Sequence, residues 1–61
     1  MDPQQELAAA RTYLGERVAC LAFEVEHEYA PSRIHATVTQ VILAEKSYRI
    51  AWRNAHGMVT G

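Results

Sequence analysis

The apolar positions of this chain change period along its length. Near the N-terminus Leu7, Ala10 and Leu14 recur at helical spacing, with Tyr13 at the margin of the stripe and Ala8, Ala9 and Ala10 favouring helix. Asp2-Pro3-Gln4-Gln5 reads as the start of that helix: Asp2 can cap free N–H groups, Pro3 suits the first helical position, and Gln5 falls at capping-box spacing. Gly15 offers a stop, so the pattern predicts a helix over about residues 3–14, roughly 18 Å long at ~1.5 Å per residue.

From Arg17 onward the repeat shortens to two. Leu21, Phe23, Val25, His27 and Tyr29 alternate with Ala22, Glu24, Glu26 and Glu28, the pattern of a half-buried strand. The same letters also hold a helical face of Val18, Leu21, Ala22, Val25 and Tyr29. The alternation favours the strand, because it puts all three glutamates outside. Pro31-Ser32 ends the segment. Ile34 to Leu43 is rich in β-branched residues and predicts a second strand, with a bulge or change of buried face near Gln40-Val41. Ala44-Glu45-Lys46-Ser47 reads as a hairpin loop. Tyr48, Ile50 and Trp52 alternate with Arg49, Ala51 and Arg53 as a third strand, aromatic-aliphatic inside and basic outside. Asn54-Ala55-His56-Gly57 supplies a turn in which Asn54 and Gly57 can take positive φ, and Met58-Val59-Thr60-Gly61 starts a fourth strand. The expected class is mainly β (α+β): one domain over 1–61, with a short helix and then a β meander over about 17–61 that forms an SH3-like antiparallel sheet or partly open barrel of about four strands.

The order of motifs resembles a Tudor-type SH3-like barrel over residues 15–61. The resemblance is carried by Gly15-Glu16-Arg17-Val18-Ala19, by Arg33-Ile34-His35-Ala36-Thr37-Val38, and by Tyr48-Arg49-Ile50-Ala51-Trp52 leading to Gly57. It implies a small barrel that binds peptides or nucleic acid. The aromatic cage with which such domains read methylated side chains has no counterpart at Pro31-Ser32-Arg33 or at Arg53-Asn54-Ala55, which disfavours a methyl-lysine or methyl-arginine reader.

Size and charge narrow the function classes. A chain of 61 residues buries a small share of its surface on folding, which argues against a large catalytic cleft and for some supplement to its core. The one cysteine, Cys20, excludes an internal disulfide, and Cys20, His27, His35 and His56 are scattered without metal-ligand spacing. Self-association is the supplement left. No apolar run approaches the ~20 residues needed to cross a bilayer, the N-terminus lacks a signal-peptide layout, and the lone thiol fits a reducing compartment; a cytoplasmic location is expected. The formal net charge of −1 speaks against binding nucleic acid by bulk charge. Its distribution is uneven: Asp2, Glu6, Glu16, Glu24, Glu26 and Glu28 face only Arg11 and Arg17 up to Ser32, while Arg33, Lys46, Arg49 and Arg53 face only Glu45 afterwards.

Two groups carry the candidate chemistry. Glu24, Glu26 and Glu28 on one strand face would stand about 6.8 Å apart at ~3.4 Å rise; this is read as a solvated face, or as one pairing with Arg49 and Arg53 across strands or subunits, ahead of a cation site. Arg33, Lys46, Arg49 and Arg53 offer a modest basic surface, but strand alternation turns Tyr48 and Trp52 away from the arginines and into the core, which weakens base stacking as a role for them. No motif joins Cys20 to a histidine as a nucleophile and base. The sequence therefore predicts a small non-enzymatic protein-interaction module, self-associating, with no catalytic or metal residues and no cofactor, binding through Arg33, Lys46, Arg49, Arg53, Glu24, Glu26 and Glu28. The alternative is a nucleic-acid-binding accessory protein that uses the basic strand face.

Overall fold

In the computed structural model, which describes residues 2–57, the chain forms two long antiparallel α-helices: α1, Pro3–Glu26, and α2, Pro31–His56. The molecule measures 45 × 19 × 15 Å. The expected start of α1 is present, with Pro3 in the first turn and Asp2 as N-cap, its Oδ1 accepting from the Gln4 N–H at 3.1 Å. Gly15 does not stop the helix. It sits on an exposed stretch where an added Cβ would meet nothing within 4 Å, so a single glycine lowers helix propensity there without ending the run.

The mainly β class, the SH3-like barrel and the Tudor resemblance are all overturned, since no strand is present among the described residues. The segments read as strands from Ile34 and Tyr48, the bulge at Gln40-Val41 and the loop at Ala44-Glu45-Lys46-Ser47 all lie within α2, and the strand read from Arg17 to Tyr29 is α1 as far as Glu26 and then the interhelical turn. The fourth strand assigned to Met58-Val59-Thr60-Gly61 lies outside the described residues. What joins the helices is a second repeat that alternation concealed. Leu7, Ala10, Leu14, Arg17, Leu21 and Glu24 on α1, and Ile34, Thr37, Val41, Ala44, Tyr48, Ala51 and Ala55 on α2, are the partly or fully buried positions spaced alternately three and four apart. That is the 3.5-residue period of a coiled-coil seam. Arg17, Glu24 and Thr37 interrupt it with polar side chains, which is why a search for apolar periodicity passes over it.

The register of the seam is fixed by three cross-helix contacts. The Gln4 side-chain amide donates to the Ala55 carbonyl at 3.3 Å, Arg17 Nη1 donates to Gln40 Oε1 at 2.8 Å, and Arg33 Nε lies 4.0 Å from Glu24 Oε2. They bring Leu14 level with Ala44 and Leu7 level with Ala51. Ala44 and Ala51 are 2% and 7% exposed and are the only buried apolar residues among those described; their size lets the backbones approach.

The turn is a Schellman motif. The Tyr29 N–H donates to the Glu24 carbonyl at 3.0 Å and the Glu28 N–H to the Val25 carbonyl at 3.2 Å, while Glu28 takes φ 55°. The hydrophobic contact that accompanies this motif is the Tyr29 ring edge-on to Phe23, centroids 6.1 Å apart. Pro31 then opens α2 behind Ala30, which has no side chain to cap it. At the far end Gly57 adopts φ 62° and its N–H closes on the Arg53 carbonyl, the positive φ expected of that glycine; Asn54, the other residue expected to turn there, is helical.

A non-glycine side chain in the left-handed region is strained by roughly 1 kcal/mol. Glu28→Gly is therefore expected to raise unfolding stability by about 0.5–1 kcal/mol in urea titration, whereas in an open meander the same change would loosen a strand and lower it.

Candidate interaction surfaces

The helical frame redistributes every residue that sequence reasoning marked. Glu24, Glu26 and Glu28 do not form a row: Glu24 is in the seam, Glu26 is on the exposed last turn of α1, and Glu28 is at the left-handed turn position. Neither ion pair among the described residues joins them to Arg49 or Arg53. Arg49 instead closes on Glu45 one turn earlier, Nη2 to Oε1 at 2.6 Å and Nε to Oε2 at 3.2 Å. This bidentate pair holds the Glu45 carboxyl below its ordinary range and the Arg49 guanidinium above its own. Because the carboxyl is depressed, what the pair adds to folding is present at neutral pH and is lost as pH falls through the lowered value. Both side chains are exposed, so the effect is small.

Arg33 stands apart from the other three cations. It is at the first turn of α2, roughly 20 Å from Lys46 at ~1.5 Å per residue, with its guanidinium 5.5 Å from the centre of the Tyr29 ring. Lys46, Arg49 and Arg53, spaced three and four apart, make one stripe on the outer side of α2. The expected separation of the aromatics from these arginines is corrected by the helix: Glu45, Tyr48, Arg49, Trp52 and Arg53 line one shallow groove of about 350 Å³. The Trp52 ring is partly exposed and stacks on His56, centroids 4.0 Å apart and planes 15° from parallel.

The buried polar groups are concentrated in the turn-proximal half of the seam. Glu24 is 4% exposed. Its Oε2 meets the Cys20 thiol at 3.5 Å and Arg33 Nε at 4.0 Å, and its Oε1 has no partner. Arg17 is satisfied at Nη1 by Gln40 but leaves Nε buried without a partner. The Thr37 hydroxyl turns back to the Arg33 carbonyl at 3.4 Å. The charges near the turn oppose their own helix dipoles and suit the neighbour's: Glu24 and Glu26 are at the C-terminal end of α1 beside the N-terminus of α2, and Arg33 is at the start of α2 beside the last carbonyls of α1. Across an antiparallel pair this arrangement is favourable, and it ties the hairpin to one register. Sequence reasoning missed Glu24 and Arg17 as seam residues because it expected charge only outside. The signal available for them was the three-four spacing from Leu14 through Leu21.

Among the described residues no three His, Cys, Asp or Glu side chains come together as a metal-ion site, and no helix is long and apolar enough to cross a membrane. Several large apolar side chains are open to solvent: Tyr13, Val18, Phe23, Val25, Ile42, Leu43 and Ile50 are all about half exposed or more, distributed over both sides of the hairpin.

No protein-family model, no curated protein and no solved structure matches the chain.

A carboxylate whose second oxygen lacks a partner destabilises a fold relative to an apolar group of similar shape. Glu24→Leu is expected to raise thermal stability by roughly 1–3 kcal/mol. Calorimetry that found a loss of stability would mean that the Glu24–Arg33 and Glu24–Cys20 contacts outweigh the desolvation of the carboxylate.

Proposed function

We propose that the chain is a non-enzymatic interaction module, a helical hairpin that self-associates and acts by offering a helical face to a partner protein. The observation that carries this reading is the imbalance of its apolar surface: the hairpin buries two alanines while Val18, Phe23, Val25, Ile42, Leu43 and Ile50 stay open to solvent. Two helices share only one stripe, so side chains outside that stripe have nothing of their own chain to pack on. Covering them with another helix pair yields a four-helix bundle, in which such residues become core. The near-zero net charge supports pairing of like chains, since no strong mutual repulsion opposes it. A cytoplasmic site of action is part of the proposal and rests on the unpaired thiol of Cys20.

A second reading, an accessory protein that binds nucleic acid, is favoured by one feature: Arg49 and Arg53 line a groove with the partly exposed Trp52, and Lys46 continues their stripe along α2. Cations that track phosphates beside a ring that stacks a base are the elements of single-strand binding. Against it, Arg49 is already engaged by Glu45.

Mass in solution by light scattering, at low and high salt and with a mixed-sequence oligonucleotide, separates the two. The first reading expects a dimer or larger species that persists in high salt and ignores the oligonucleotide. A monomer that gains mass with the oligonucleotide only at low salt would replace it with the second.

A further inference from the structure

We propose that two copies of the hairpin pair face to face with their turns at the same end, so that α1 of each lies across α2 of the other. The arrangement rests on the self-association reading above and specifies the surface and orientation that reading leaves open.

The two open sides of the hairpin differ. In an antiparallel pair the positions one residue beyond Ala10, Arg17 and Glu24 on α1, and beyond Thr37, Ala44 and Ala51 on α2, flank the seam on the same side. That side carries Val18, Ala22 and Val25 on α1 and Val38 and Ile42 on α2, all in the half of the molecule nearer the turn. Val18, Val25 and Ile42 are 47%, 56% and 57% exposed, and no Asp, Glu, Lys or Arg of that side falls in this half, whose one imidazole is the exposed His35, seven residues before Ile42. Its far half holds Arg11, the Glu45–Arg49 pair and Trp52. The opposite side also exposes Tyr13, Phe23, Leu43 and Ile50, but polar side chains interrupt it in both halves: Glu6, Ser47 and Asn54 line it with Ile50 far from the turn, and Arg33 and Gln40 flank the seam there near the turn. The first side is therefore the one that can be dried without stripping water from a charge.

Two ways of stacking this side on itself satisfy two-fold symmetry. With the turns at opposite ends, α1 lies over the second copy's α1, and each patch of Val18, Ala22, Val25, Val38 and Ile42 covers the other copy's Arg11, Glu45 and Arg49. With the turns at the same end, apolar patch meets apolar patch, and the charged halves meet each other, bringing Arg11 of each copy over the Glu45 of the other. Charge on the scale of whole helices selects the same solution. Four glutamates against two arginines on α1 then face four cations against one glutamate on α2, whereas the opposite arrangement sets acidic helix on acidic helix.

The test is a spin-label distance measured on Ala30→Cys in a Cys20→Ser background, the label sitting on the exposed turn residue. Turns at the same end place the two labels within about 25 Å, from a helix spacing of ~8–10 Å plus the label arms; turns at opposite ends place them near the full 45 Å length of the molecule. A short distance in a dimeric sample, lost together with the dimer in Ile42→Glu, is the expected result. A dimer with the long distance overturns the orientation and leaves self-association standing. A short distance that survives Ile42→Glu overturns the choice of face. A sample that is monomeric before any substitution on the face overturns both this arrangement and the reading it rests on.

Discussion

Everything in this molecule follows from having one seam between two helices. A helix in a larger domain can surround its apolar arc with several neighbours, but in a hairpin each helix meets only its sister along a single stripe. The stripe here is narrow and filled with small residues: Ala44 and Ala51 are buried, and Leu7, Leu14, Leu21, Ile34, Val41 and Tyr48 remain partly in contact with water. The side chains that exceed it are left outside. A seam that buries so little contributes little of the area-proportional stabilisation that folds a chain, so the turn and the helix ends carry a large share of the hairpin's cohesion, and the proposed pairing of two copies would add the rest.

The turn and the polar seam residues supply specificity rather than bulk. The Schellman closure at Glu24–Tyr29, the Tyr29–Phe23 contact and the Pro31 start of α2 fix the angle at which the chain reverses. The Arg17–Gln40 hydrogen bond and the Glu24–Arg33 approach then select one register among those that alanine-rich helices would tolerate. Their orphaned atoms, Glu24 Oε1 and Arg17 Nε, are the energetic counterpart of that selection. The same half of the molecule that holds this buried polarity carries the clearest apolar face outside it.

Part of this was legible in the letters. Asp2-Pro3 marks the start of a helix because capping and the fixed φ of proline are local effects, and the positive φ of Gly57 is likewise local. The rest depended on choosing a period, and the chain holds two. Leu21 to Tyr29 alternates in strict pairs, yet within the same stretch Leu21 and Glu24 continue the three-four spacing from Leu14 and Arg17. β-branched Ile34, Thr37, Val38, Thr39, Val41 and Ile42 favour a strand by propensity, which tertiary packing overrode. An apolar residue in such a hairpin need not be a core residue, and a charged one need not be outside; Ile42 and Glu24 invert both expectations. The site residues were legible as chemistry but not as places. Arg49 and Arg53 line one groove with Trp52 beside them rather than behind them, because the period is 3.6 and not two.

The central claim, a helical hairpin whose folding is completed by a second copy, is tested most directly by far-ultraviolet circular dichroism followed through thermal unfolding over a hundredfold range of protein concentration. The account predicts a strongly helical spectrum and a melting temperature that climbs with concentration, as mass action requires when the folded species is an oligomer. A β-type spectrum, or a melt that does not move with concentration, would contradict it.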